Sequence, residues 1–139
     1  MIPRQVNLFN VPGNLYLSHM PGRYETFSVA NTQILRAGID NVISLTHLEE
    51  IRRKSPEYAE SIVEDSLPWR REEFAIEDYT TPTNWEAFLN LAKRTASDLQ
   101  AGKNVMIHCG AGVGRTGTLA IGVLLALGIS LETALNRVK

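Results

Sequence analysis

One short segment contains most of the residues able to do chemistry: His108-Cys109-Gly110-Ala111-Gly112-Val113-Gly114-Arg115-Thr116-Gly117-Thr118. A nucleophile and a fork-shaped cation stand five small residues apart, and three glycines alternate between them. Gly110, Gly112 and Gly114 lack Cβ atoms, so the backbone between Cys109 and Arg115 can curl tightly and turn its N–H groups inward. A nest of amides opening a helix binds anions through fixed partial positive charge, and the same field favours a thiolate, the attacking form of cysteine. Arg115 returns to that point in the first helical turn, where its planar guanidinium can hold two phosphate oxygens at once. The amides of Gly110, Ala111, Gly112, Val113 and Gly114, together with Arg115, therefore form a candidate phosphate cradle beneath a candidate nucleophile.

Other glycine-rich turns fit less well. No Gly-Lys-Ser/Thr follows, which excludes a Walker loop. The one phase that could match a dinucleotide fingerprint, Gly112-Val113-Gly114 with Gly117, puts Arg115 inside the turn. A rhodanese-like sulfur transferase has no use for an Arg115-Thr116 pair.

The elements that must position this loop alternate between strand and helix. Leu15-Tyr16-Leu17 follows a Pro12-Gly13-Asn14 turn signal, and a helix is predicted from about Tyr24 to Ala37, closed by Gly38. Val42 to Leu45 reads as a buried strand, Glu49–Lys54 and Pro56–Val63 as short helices, and Phe74-Ala75-Ile76 as another strand. Thr83 and Glu86 have capping-box spacing. After them Trp85, Phe88, Leu89, Ala92, Ala96 and Leu99 recur at helical spacing and predict one buried face. Val105-Met106-Ile107 is read as a central strand, Thr116 to Leu127 as a helix apolar nearly all round, and Ser130 as the cap of a last helix. The expected fold is α/β: a largely parallel sheet of four to five strands, flanked by helices on both faces. Open sheets of this kind hold ligands at the carboxyl ends of their strands, which is where the Cys109 loop falls.

The 139 residues suit a single catalytic domain spanning 1–139. The net charge of −1 gives no sign of a nucleic-acid or anionic-membrane partner, and the longest apolar stretch, Leu119 to Leu127, is too short to span a bilayer. A single Cys cannot form an internal disulfide, and the first residues lack the apolar run of a secretory signal, so the expected setting is cytoplasmic. His19, His47 and His108 have no ligand-like spacing, and neither metal nor cofactor is expected.

His108-Cys109, five residues, then Arg115-Thr116 resembles the signature of the cysteine-based protein tyrosine phosphatase superfamily. Ala111 to Gly117 is similar to the form found in tyrosine-specific members. Asn14-Leu15-Tyr16-Leu17 and Gly38 to Leu45 more resemble the compact dual-specificity branch, so the likeness runs from about residue 12 to the C-terminus. Gly110 departs from the Ser usual in tyrosine-specific members, the Trp-Pro-Asp motif of the large enzymes is missing, and the chain stops at Lys139, short of a final helix many members have.

The resemblance implies a phosphocysteine mechanism with an Asp general acid on an upstream loop. Asp78, 31 residues before Cys109 between a predicted strand and the next helix, matches; Glu77 is its rival. It further implies that Thr116 steadies the departing thiolate. His108 is expected to shape the loop and tune the thiolate through hydrogen bonds, with a satisfied structural histidine and a direct catalytic role both left open. The uncharged stretch between Cys109 and Arg115 points to monophosphate esters on a phosphorylated protein or peptide, phosphotyrosine first and phosphoserine or phosphothreonine after it. An RNA 5′-phosphatase or a phosphoinositide phosphatase would use the same loop; a non-catalytic phosphopeptide-binding module is the weakest reading. Arg70-Arg71 and Arg52-Arg53-Lys54 are read as solvated charges, with steering of an acidic substrate as the other use.

Overall fold

The computed structural model describes residues 3–77, 80 and 82–139. Five strands form one sheet in the order β1-β2-β5-β3-β4: β1 (Arg4–Val6), β2 (Asn14–Ser18), β3 (Asn41–Ser44), β4 (Arg71–Glu73) and β5 (Asn104–His108). β2, β5, β3 and β4 run parallel, and β1 pairs antiparallel to β2 at the edge. The expected architecture is thus present, with β1 as a strand that the short, polar Arg4-Gln5-Val6 gave no reason to expect.

Strand periodicity sorts the core into two layers. Leu15, Leu17, Ile43, Val105 and Ile107 pack under α4 (Trp85–Gln100), α5 (Gly114–Ala126) and α6 (Leu131–Val138). Val42 and Met106 face the other way, against α1 (Phe27–Arg36), α2 (Leu48–Lys54) and α3 (Pro56–Val63). β5 is central, and its neighbours β2 and β3 lead into α1 and α2. The carboxyl ends of these strands therefore open a crevice at residue 109.

Four expectations are corrected. Phe74 to Ile76 is not a strand: β4 is the preceding triplet, and the chain leaves the sheet after Glu73 while the amides of Phe74 and Ile76 still bond to the carbonyls of Ser44 and Leu45. The α4 cap is Asn84, whose side chain accepts from the Ala87 amide, so Thr83 and Glu86 do not form a capping box. The buried stripe of α4 is Phe88, Leu91, Ala92, Thr95, Ala96 and Leu99, leaving Trp85 and Leu89 half exposed. The apolar face is phased on Leu91, because Thr95 joins it by donating its hydroxyl to the Leu91 carbonyl. α1 starts three residues later than expected, at Phe27, where Thr26 accepts from the Val29 amide. The cap at Ser130 and the glycine closure at Gly38 fall where expected, and Gly102 and Gly128, both at positive φ, follow α4 and α5 in the same way. No helix among the described residues is long and apolar enough to cross a membrane.

Candidate active site

β5 ends at His108, and α5 begins at Gly114, so the segment between them is a strand-to-helix turn whose amides sit at the start of a 13-residue helix. Cys109 is 2% exposed at the floor of this turn, and its Sγ accepts the Gly112 N–H at 3.2 Å. Of the three alternate glycines, Gly112 is the one the geometry requires. Its φ is +79°, and a Cβ there would lie 2.6 Å from the backbone of Ser18 and His19. Gly114 has open space where a side chain would go. Gly110 is confined more gently, its missing Cβ facing Glu50 and Lys54 at 3.0 Å.

Arg115 is buried and enters the same turn from α5. Its Nη1 and Nη2 each donate to one Glu50 carboxylate oxygen at 2.8 Å, and Nη1 also donates to the Ile76 carbonyl at 2.9 Å. This end-on fork fixes the plane of the guanidinium. Lys54, one helical turn beyond Glu50 on α2, bonds the same carboxylate at 2.8 Å. The Arg115 hydrogen bond, with Lys54 behind it, outweighs burial and holds Glu50 down at about 2. Sequence reasoning missed Glu50, which lies 65 residues from Arg115; Lys54, read as a solvated charge, belongs to the site.

His108 is fully buried, and its partners fix its tautomer. The Cys109 carbonyl can only accept, so Nδ1 carries the proton and donates at 3.1 Å, which leaves Nε2 to accept from the Tyr58 hydroxyl at 2.8 Å. Tyr58 in turn accepts from Arg71 Nε at 3.1 Å, while Arg71 Nη2 donates to Ser44 and Glu73. Burial raises the Tyr58 hydroxyl to about 12, keeping it a donor, and pushes His108 down to about 3, keeping it neutral. This chain of oriented bonds runs from β4 through α3 to the backbone of Cys109. It makes His108 a structural support of the turn, and it makes Arg71 an internal brace, not a solvated or steering charge.

The same burial makes the fold acid-sensitive. The unfolded chain takes up a proton at His108 below its ordinary value of 6.5, whereas the folded chain does so only near 3. Unfolded molecules therefore bind more protons across that window, and stability is lost as pH falls through it, by up to about 1.4 kcal/mol per pH unit. Glu50 adds a loss of the same sign between 4.5 and about 2. Urea midpoints measured from pH 7 to pH 5 should fall in the wild type and fall less steeply in His108→Asn. Parallel curves would show that His108 is not the buried neutral group described.

Thr116 is buried beside this network, and its Oγ1 has no partner among the described residues. Above Cys109 opens a cavity of about 620 Å³ that also meets Arg115, Lys54, Arg23, Thr80 and Val113. A neighbouring cavity of about 700 Å³, lined by His47, Glu49, Glu73 and Glu77, shares Lys54 but contains no nucleophile. Asp78 lies outside the described residues. Among the described residues no group of three or more His, Cys, Asp or Glu is placed to hold a metal ion.

Known proteins share this fold. The family model described as "Swiss Army Knife protein, DSP-PTPase phosphatase domain" matches residues 9–138. The fold is similar to kinase associated phosphatase carrying a serine in place of its catalytic-site cysteine (TM-score 0.80, 18% identity, 99% of this chain and 82% of that one). It is similar to Tk-PTP in its active form (TM-score 0.68, 25% identity, 99% and 84%) and to human DUSP28 (TM-score 0.65, 17% identity, 100% and 81%). Among curated proteins no sequence match is found.

Proposed function

The chain belongs to the DSP-PTPase phosphatase domain family of Swiss Army Knife proteins, and from that premise we propose that it hydrolyses phosphotyrosine esters of proteins through a phosphocysteine intermediate on Cys109. The observation that carries this reading is the Gly112 amide aimed at Cys109 Sγ inside a turn that Arg115 also enters. An amide nest that can face a sulfur can face the phosphate oxygens attached to it.

In the first step Cys109 attacks phosphorus while the amides of residues 110–114 and Arg115 meet the nonbridging oxygens. With the end-on fork of Arg115 committed to Glu50, the edge formed by Nε–H and the second Nη2–H is the one that meets phosphate. Charge spreading over those oxygens in the transition state strengthens the contact. Asp78 protonates the leaving oxygen, then acts as base for the water that cleaves the phosphocysteine. Two placements support Asp78 over Glu77: Thr80 lines the Cys109 cavity, whereas Glu77 lines its neighbour. The Thr116 hydroxyl, buried with no partner among the described residues, is suited to donate to the sulfur as it leaves. A floor at 2% exposure under a rim residue, Val113, at 74% favours a long phosphorylated side chain, hence tyrosine before serine or threonine.

The test is metal-free hydrolysis, with EDTA present, of p-nitrophenyl phosphate and a phosphotyrosine peptide. Asp78→Asn should lower kcat by roughly 10²- to 10⁴-fold on the peptide. Its effect should shrink for aryl esters with better leaving groups, which need less protonation. An Asp78→Asn enzyme with wild-type turnover on every ester would remove Asp78 as the acid. A wild type silent on both substrates but active on an RNA 5′ end or an inositol lipid would replace the protein-substrate reading.

A further inference from the structure

The loop between β2 and α1 presents a cation that the mechanism above does not use. Arg23 lines the cavity over Cys109, yet among the described residues no carboxylate pairs with it. Its guanidinium lies 4.8 Å from the centre of the Tyr24 ring, which is itself 63% exposed. The other arginines near the site are committed, Arg115 to Glu50 and Arg71 to Tyr58, Ser44 and Glu73.

The loop holding Arg23 is tied down on both sides. The Met20 amide donates to the Gly110 carbonyl at 3.1 Å, and the Arg23 amide donates back to Met20 at 3.1 Å. Ser55, at the junction of α2 and α3, donates to the Pro21 carbonyl at 2.7 Å. Glu25 accepts from the Gly22 amide at 3.0 Å and pairs with His19 at 2.7 Å; the His19 ring meets the edge of Tyr24 at 4.9 Å. Gly22, at φ +82°, admits no side chain there, since a Cβ would lie 2.6 Å from Ser55 Oγ. Arg23 is therefore held at the mouth of the catalytic cavity before any ligand arrives, so less ordering cost opposes binding. A stacked guanidinium keeps its N–H edge for a carboxylate or phosphate.

Resting on the phosphatase reading, we propose that Arg23 is a specificity-determining residue that selects phosphopeptides bearing a second anionic group, an acidic or a further phosphorylated residue, beside the scissile phosphate. Its place on the rim, away from the end-on fork of Arg115, assigns it to the flanking residue and not to the transferred phosphoryl group.

The experiment compares kcat/KM on phosphotyrosine peptides that differ in one flanking position: alanine, glutamate, phosphoserine or lysine. The wild type should favour the glutamate peptide over the alanine one by roughly five- to tenfold, and the phosphoserine peptide by more, an effect seen mainly in KM and weakened by salt. Arg23→Ala should bring the peptides level, Arg23→Lys should retain part of the preference, and Arg23→Glu should turn it toward the lysine peptide. A wild type that hydrolyses all four equally, or a preference that survives Arg23→Ala, overturns the assignment while leaving the phosphatase reading intact. Arg23-dependent turnover of an inositol bisphosphate without any peptide preference would move the second anion to a small molecule and overturn the peptide claim. Silence of the wild type on every phosphopeptide and on p-nitrophenyl phosphate would instead fell the phosphatase reading, and this inference with it.

Discussion

Serine in place of Cys109 is expected to abolish turnover while phosphopeptide binding survives. The substitution exchanges one atom at a site that is 2% exposed, so the turn keeps its shape and the Gly112 amide keeps an acceptor. Arg115, its Glu50 support and the loop amides do not depend on the sulfur, and in the proposed site they supply most of the affinity for phosphate. What disappears is the nucleophile: a serine hydroxyl in this turn has no adjacent base, because His108 points its protonated Nδ1 at a carbonyl and gives Nε2 to Tyr58. Loss of turnover by at least about 10³-fold is expected, as when other covalent catalysts lose their nucleophile. Calorimetry with a phosphotyrosine peptide should give a dissociation constant within a few-fold of the wild-type KM. Acid quenching of wild type in turnover should trap phosphate on Cys109, and the variant should trap none. Wild-type rates from Cys109→Ser would sink the covalent mechanism.

The proposed nucleophile and its proposed clamp were legible in the sequence because their residues are contiguous: one strand, one turn and the first turn of one helix. The sheet was legible for a related reason, since buried runs such as Val42 to Leu45 and Val105 to Ile107 have few alternatives in a chain of this size. The supports were not. Glu50 stands four residues before Lys54 on a helix, a spacing that surface ion pairs share, and nothing local shows that its carboxylate turns inward to Arg115. Tyr58 and Arg71 reach His108 from α3 and β4, and only the parallel pairing of β3 with β4 brings them near. Arg71 in particular has the composition of a solvated loop and the environment of a core brace. The phase of α4 was misjudged because Trp85 and Leu89 carry large apolar side chains and Thr95 a hydroxyl, although Thr95 buries that hydroxyl against the Leu91 carbonyl. Arg23 carried no signal at all, since its meaning comes from the anchoring of its loop to Gly110 and Ser55.

Lysine in place of Arg115 tests whether geometry or charge carries the phosphate clamp. Both side chains are cationic, so electrostatic attraction to a dianion would survive the change. The fork would not. Arg115 uses its end-on donors for Glu50 and the Ile76 carbonyl, and in the proposed mechanism its Nε–Nη2 edge turns to the phosphate; an ammonium cannot serve two directions at once. The lysine would settle against Glu50, which already holds Lys54 at 2.8 Å, and would leave the equatorial oxygens to the loop amides alone. A contact that tightens as charge spreads in the transition state should then be lost from kcat more than from KM. The expected fall in kcat is about 10³-fold or more, the scale seen where an arginine is withdrawn from a transferring phosphoryl group. The accompanying loss of stability should be modest, because the carboxylate of Glu50 keeps a cation on each side, whereas Arg115→Ala leaves it half paired and should unfold at distinctly lower urea. Equal damage to kcat from Arg115→Lys and from a neutral substitution at a rim position such as Val113 would mean that position 115 supplies only bulk to the turn. A kcat for Arg115→Lys within about threefold of wild type would show that charge alone suffices, and the fork held by Glu50 would then have no part in the chemistry.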